Sequence, residues 1–392
     1  MKNKMTVARL TAHSAKMLKA AEQQERRTIG LLRLLVEDES PSSNKAAVDV
    51  YMEIAASACR GVGGMVRWHR QKHYGNLLEA RFGYSRNSSM APILLLGHLD
   101  TVWPLGTLRN MPFLRRRGRY WGPGVLDMKA GVAMAISALA VLREQNISTR
   151  PITLLLNSDE EIGSPVSRPV TERIARECAA VYVLEPGQGL LGAYKTARKG
   201  TGDFTVRVKG VAAHAGVDFS NGHSAVLELA RQIEKISEFT ELERGITVNP
   251  GVIGGGTQAN VVAAEAWAHV DFRFPTSADA KKIEQKFRAL RPMNKRCSLE
   301  ISGGINRPPM ERTKGTAALF ARAATLAAEL GFELQEAATG GGSDGNFTSA
   351  IGVPTLDGMG AVGEGAHAIN ESILIEHLAP RTALLAAMMR KE

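Results

Sequence analysis

Cysteine is nearly missing from this chain. Its three examples in 392 residues, Cys59, Cys178 and Cys297, are far apart, odd in number and never in a C-x-x-C pair. That excludes a disulfide framework and fits a reduced, cytoplasmic setting with ordinary thiols. Long apolar runs are also missing: no stretch of about eighteen such residues is apparent, so no membrane span is expected. The opening segment, "MKNKMTVARLTAHSAKMLKAAEQQERR", lacks the apolar core of a signal peptide and reads as an amphipathic helix, so secretion is not expected. Acidic residues are in deficit, with a net charge of +10. The basic residues are dispersed, however. Only "RRRGR", Arg115 to Arg119, forms a run, and beside "YWGPG" it reads as an exposed hairpin turn. No nucleic-acid partner is expected, and the excess positive charge would favour anionic substrates.

What is present suits a globular protein, with 44% hydrophobic and 22% charged residues. At 392 residues the chain is too long for one ordinary core, so two domains are the default. Two kinds of strand signal occur. "PILLLG" (92–97), "ITLLLN" (152–157) and "AAVYVL" (179–184) are nearly continuous apolar runs, as in strands buried on both faces. Helical stretches at 128–145 and 167–179 alternate with them, a β-α-β rhythm. The second kind alternates. In "DFTVRVK" Phe204, Val206 and Val208 face one way; "AEAWAHVDFRF" (264–274) and "CSLEIS" (297–302) behave likewise. That is half-buried antiparallel sheet, with amphipathic helices at 223–239 and 277–290 between the strands. The fold class predicted is α/β: a catalytic domain with a mainly parallel sheet, residues 1–198 and 309–392, interrupted by a small α+β lid with antiparallel sheet, residues 199–308.

Sites in open parallel sheets form where strands end at their carboxyl edge. "LLLG" is followed by His98 and Asp100, "LLLNSD" by Glu160 and Glu161, and "VYVL" by Glu185. "TLDGMG" leads to His367 in "GEGAHAINE", and Asp127 in "GPGVLDMKAG" immediately precedes a helix. Two histidines and several carboxylates at one sheet edge would repel and dehydrate one another unless a cation held them. Mixed N/O ligation favours zinc, or cobalt or manganese. Five ligands are too many for one open tetrahedral zinc and suit two metals sharing a bridging carboxylate. One of Glu160 and Glu161 would ligate, leaving the other to hold and deprotonate a water. Asp100 can take the other ring N–H of His98.

Taken in order, "GHLDTV", "GPGVLDMKAG", "DEEIGS", "LEPG", "VKGVAAHAG", "ITVNPGVIGGGTQANVV", "DFRF", "GGGSD" and "GEGAHAINE" resemble a family of co-catalytic zinc carboxypeptidases and deacylases. It includes glutamate carboxypeptidase, acetylornithine deacetylase and succinyl-diaminopimelate desuccinylase. The likeness runs from about residue 30 to the C-terminus and is strongest to the glutamate carboxypeptidase branch. The resemblance implies a zinc-exopeptidase-like catalytic domain and a lid that also dimerises. It implies two zinc ions, one on His98 and Glu185, the other on Glu161 and His367, bridged by Asp127, with Glu160 as general base acting on a dizinc-bound hydroxide. It further implies a cis peptide at Asp127–Met128, His214 polarising the substrate carbonyl across a homodimer, and Asn260, Arg273 and Arg307 binding near a substrate carboxylate. Gly341, Gly342 and Asp344 would lie in a loop near the substrate backbone, with Asp344 capping it.

There are departures. Met128 stands where many carboxypeptidases carry a second aspartate, and the first 25 or so residues have no clear family counterpart. His13, His69, His73, His223, His269 and His377 match no ligand position and read as surface or core residues. The expected activity is hydrolysis of an amide bond next to a free carboxylate in a small peptide. The alternative within hydrolases is an N-acyl amino acid deacylase, and outside them a non-catalytic binding module.

Overall fold

In the computed structural model, residues 11–84 and 90–391 are described. They form two compact units. One holds the chain up to Ala197, Arg312–Thr339 and the chain from Ser343; the other holds Arg198–Glu311 and Gly340–Gly342.

The first unit is built on a six-stranded sheet, in the order Met65–His69, Leu77–Phe82, Ile152–Asn157, Ile93–His98, Ala180–Val183, Thr355–Leu356. The last four strands run parallel. Every residue of Ile93–His98, Ile152–Asn157 and Ala180–Val183 is buried, which is why their sequences read as unbroken apolar runs. The first two strands pair antiparallel and were not legible in advance. Met65–His69 is an edge strand, nowhere fully buried, so it carries no strong period. The helix Ala130–Glu144 packs on the helices Ala12–Glu37 and Leu378–Met389. The N-terminal helix thus begins at Ala12 among the described residues; the first ten residues of the expected helix, and the side chain of His13, lie outside them.

One expectation needs correction. The stretch Val125–Glu144, 20 residues, is long and apolar enough to cross a membrane by length and composition. Its few polar residues, Asp127, Lys129, Ser137, Arg143 and Glu144, are outweighed by Ala, Val and Leu. Yet 94% of its apolar window is buried inside the protein, the condition of a core helix. The "RRRGR" run is a tight hairpin as expected, with Arg116 opposite Arg119 and both turn residues, Arg117 (φ 51°) and Gly118 (φ 73°), left-handed.

The second unit contains a four-stranded antiparallel sheet, ordered Thr247–Gly255, Glu265–Phe274, Gly200–Lys209, Ser298–Arg307. Burial alternates along Gly200–Lys209 and Glu265–Phe274 in the sense the sequence predicts. The helices Ala225–Ser237 and Ser277–Arg288 supply the other half of this core. Phe204 stacks on both Phe272 and Phe287, at ring-centroid distances of 5.4 and 4.2 Å.

One close approach positions the catalytic edge of the first sheet. A Cβ built on Gly131 would lie 2.0 Å from the carbonyl oxygen of Leu184, and one on Gly360 2.1 Å from the same atom. Helix and loop therefore press directly on the backbone just ahead of Glu185. A Gly→Ala change in a helix normally stabilises by up to about 1 kcal/mol. Here Gly131→Ala should instead destabilise by about 2–3 kcal/mol through overpacking, read as a lower urea midpoint at unchanged slope.

Candidate metal centre

The carboxyl ends of the parallel strands deliver the site. His98 is the last residue of Ile93–His98, and Asp100 follows it. Ile152–Asn157 is followed by the short turn Glu160–Ile162, which carries Glu160 and Glu161. Ala180–Val183 leads to Glu185. Asp127 sits just before the helix Ala130–Glu144, and the Asp127–Met128 peptide is cis. His367 arrives from a loop between two short strands, with its backbone in the left-handed region at φ 61°. Such a conformation is sparse for a non-glycine residue and is held only where the surroundings insist on it.

Six of these side chains, all but that of Asp100, meet around one space. Nε2 of His98 lies 3.4 Å from Oδ1 of Asp127, 3.6 Å from Oε1 of Glu185 and 4.0 Å from Oε2 of Glu160. Nε2 of His367 lies 3.2 Å from Oδ2 of Asp127 and 3.1 Å from Oε2 of Glu161. Asp127 therefore turns one oxygen to each histidine. Two sets, His98 with Asp127 and Glu161, and His98 with Glu160 and Glu185, bring their donor atoms within 4.8 Å of one another.

The charge balance is lopsided. Asp100, Asp127, Glu160, Glu161 and Glu185 surround two imidazoles, and all but His367 are buried or half-buried. Burial works against Asp127 as a carboxylate, but the imidazoles of His367 and His98 beside it hold it well below the usual range. Hydrogen bonds to Asp127 and Glu161 push His367 up to about 11. Burial alone would lower the pKa of His98, yet Asp100, Asp127 and Glu185 carry it well above its ordinary value. Glu161 is pushed up, first by burial. Each shift reports one demand, for positive charge. The donor set fits metal cations for a second reason. Nε2 of His98 and Oε1 of Glu161 are buried without a hydrogen-bond partner, which ligation would supply.

Asp100 organises this cluster. Nδ1 of His98 donates to the backbone oxygen of Asp100 at 3.0 Å and lies 3.4 Å from its Oδ1, which leaves Nε2 facing the acids. The backbone N–H groups of Glu160 and Glu161 donate to the two oxygens of Asp100, each at 3.2 Å, and the Ser42 hydroxyl donates to Oδ2 at 2.7 Å. Three residues important to this frame went unnoticed in the sequence. Ser42 lies in an ordinary polar loop with no signal. Lys129 is only 1% exposed, its ammonium 4.6 Å from the centre of the Tyr51 ring. Glu371 closes the "GAHAINE" motif, where nothing local announces a role. The Asp344 side chain accepts from Ser164 and, at 2.6 Å, from Asn157, bracing the strand end and the loop on either side of Glu160 and Glu161.

The remaining sequence candidates lie in the second unit. His214 is exposed, and its Nδ1 accepts from the N–H of Gly216 at 3.1 Å. Asn260 is exposed, with its carbonyl accepting from Ala215. Arg273 is held by Asp271 through Nε and Nη2, both at 2.9 Å. Arg307 is 5% exposed at the end of its strand, against Gly342, where an added Cβ would come 2.9 Å from its Cδ. Arg198, not singled out earlier, donates to the carbonyls of Gly341 and Gly342 at 3.1 and 3.0 Å. The structure therefore brings Arg307 together with Gly341 and Gly342.

Known proteins share this arrangement of chain. The family model described as Peptidase family M20/M25/M40 matches residues 94–391. Carboxypeptidase G2 of a Pseudomonas species is 27% identical over 303 residues, 76% of this chain and 72% of that protein. Succinyl-diaminopimelate desuccinylase of Delftia acidovorans is 29% identical over 315 residues, 74% of this chain and 78% of that protein. In fold, the chain is similar to the aminopeptidase PepT from Bacillus cereus, with a TM-score of 0.76 and 24% identity over 93% of this chain and 98% of that one.

The Asp100 hub generates one expectation. Asp100→Asn keeps the shape but turns an –NH2 donor against one of the N–H groups that Asp100 now accepts, and removes the charge behind His98. It should lower divalent-cation affinity about 10–100-fold, measured by competition with a chromophoric chelator, while the circular dichroism spectrum stays unchanged.

Proposed function

The chain belongs to the peptidase family M20/M25/M40 and is a hydrolytic enzyme; on that premise we propose that it cleaves an amide bond adjacent to a free carboxylate, as a glutamate carboxypeptidase does, with two divalent cations. The observation that carries the reading is the division of Asp127, with Oδ1 toward His98 and Oδ2 toward His367. His98 and Glu185 would hold one cation, Glu161 and His367 the other, and Asp127 both. The mixed nitrogen and oxygen donors suit zinc, with cobalt or manganese as substitutes. When bound, such a pair supplies Lewis acidity to the amide carbonyl and to a water molecule.

The protein's own groups do the rest. Asp100 holds the His98 tautomer. Glu160, half-buried and unable to share the direction of its neighbour, takes the proton as the water oxygen bonds to the carbonyl carbon. It returns that proton to the nitrogen as the C–N bond breaks, releasing an acid and an amine. His214 is proposed to stabilise the carbonyl oxygen, reaching a partner subunit's site from a lid that also forms the homodimer. Arg307, with Gly341 and Gly342 beside it, is the stronger candidate for the substrate carboxylate, because an arginine fork matches it bidentately. Arg273 and Asn260 would assist, and Arg273 would first have to leave Asp271. The three free cysteines accord with a cytoplasmic enzyme.

A second reading, N-acyl amino acid deacylation, has an observation behind it. The desuccinylase relative is as similar to this chain as the carboxypeptidase, at 29% against 27% identity. Relative kcat/KM on N-acyl amino acids, dipeptides and glutamate conjugates, assayed on zinc- and cobalt-loaded protein, separates the two. Faster cleavage of acyl amino acids would overturn the carboxypeptidase assignment.

Chelation should abolish turnover and added zinc or cobalt restore it. Glu160→Gln should cost about 10²–10⁴ in kcat with the cation stoichiometry intact. Mixing Glu160→Ala and His214→Ala chains should recover part of the activity; a mixture as inactive as its parents would reject action across the dimer.

A further inference from the structure

Glu371 stands four residues after His367, is fully buried, and takes no part in the reaction proposed above. Its two oxygens each receive two donors. Oε1 accepts from the N–H groups of Leu126 at 2.8 Å and Asp127 at 3.0 Å. Oε2 accepts from the N–H of Gly124 at 2.8 Å and from Nε1 of Trp103 at 3.0 Å. The three amides come just ahead of the helix Ala130–Glu144, where N–H groups lack an intrahelical partner. Trp103 belongs to the loop that follows Asp100. One carboxylate thereby joins three loops, carrying Asp100, Asp127 and His367, from chain positions up to 268 residues apart. Burial pushes Lys129, close by, down to about 7, with Glu371 the foremost charge opposing that fall.

The chemistry of the four contacts selects a carboxylate. All four partners are donors, so an acceptor is required at both oxygens. A glutamine of the same shape would turn its –NH2 against either the Leu126/Asp127 pair or the Gly124/Trp103 pair. An aspartate is one methylene too short to reach both.

We propose that Glu371 is a positioning residue that sets the spacing between Asp127 and His367, and through it the affinity for the cation those two residues share. The proposal rests on the two-cation reading. It assigns to Glu371 a role distinct from holding the fold together, because the atoms it fixes are the backbone of one ligand and the loop of another.

The test titrates metal-free protein with Co²⁺, read by visible absorption, alongside amide hydrogen exchange over residues 122–128. In the wild type, the Gly124, Leu126 and Asp127 amides should be protected, and more so once cobalt is added. Glu371→Gln should keep its circular dichroism, exchange faster at these amides, and bind one of two cobalt equivalents about 10–100-fold more weakly. Glu371→Asp should behave the same way. Cobalt affinities equal to wild type in either variant, whatever the thermal stability, would reduce Glu371 to a structural cap. If neither variant folds, wild-type exchange decides: protection at residues 124–127 that does not respond to cobalt overturns the proposal. Wild-type protein that takes up no cobalt would bring down the two-cation reading, and the role of Glu371 with it. Two equivalents bound with the same affinities by wild type and variant would bring down the role alone.

Discussion

An excess of negative charge at the end of a parallel sheet is the constraint on which this structure turns. Five carboxylates converge on two imidazoles in a largely buried pocket. Like charges brought out of water at these distances are tolerated only if positive charge joins them. The protein answers partly from within: His98 and His367 are both driven toward their protonated forms by the acids around them. The proposed pair of cations would answer the same demand and in addition satisfy the buried atoms that no hydrogen bond reaches. The same electrostatic imbalance would then serve both to hold metal and to supply the chemistry.

Holding such a cluster open requires a stiff frame. The candidate ligands sit on strand ends and loops, and their backbones are tied by carboxylates set behind them. Asp100 takes two consecutive amides from the Glu160 turn as well as the back of His98. Glu371 takes three amides from the Asp127 turn. Asp344 braces the loop after Glu161 through Ser164 and Asn157. Behind them, Gly131 and Gly360 let helix and loop close on Leu184, so the backbone beside Glu185 has little room to shift. Carboxylates used this way are an economical design: each accepts several N–H bonds that a loop would otherwise leave to water.

The second unit is governed by different physics. Its sheet is half-buried, its core is a stack of phenylalanines under two amphipathic helices, and its candidate substrate residues lie on antiparallel strands and loops. Arg307 and Arg273 illustrate how alike two arginines look in sequence. Both stand in strands, yet one is buried against Gly342 and the other is exposed enough to pair with Asp271 at the surface. Periodicity assigned a face to Arg273 alone, since Arg307 lies beyond the alternating stretch 297–302, and only packing separated their surroundings.

By itself the sequence determined the style of each strand, because burial on two faces or one is a local, periodic demand written into successive residues. It also determined which residue types follow each apolar run, and the ordered motifs tied those residues to a family. The edge strand Met65–His69 escaped because a half-exposed strand imposes no strict pattern. What the tertiary structure alone decided is which oxygen of Asp127 faces which histidine, that Ser42 stands behind Asp100, and that Glu371 gathers three loops. These depend on contacts across 29 to 268 positions, fixed by how helices and loops pack onto the sheet, and no local pattern encodes a distance of that kind.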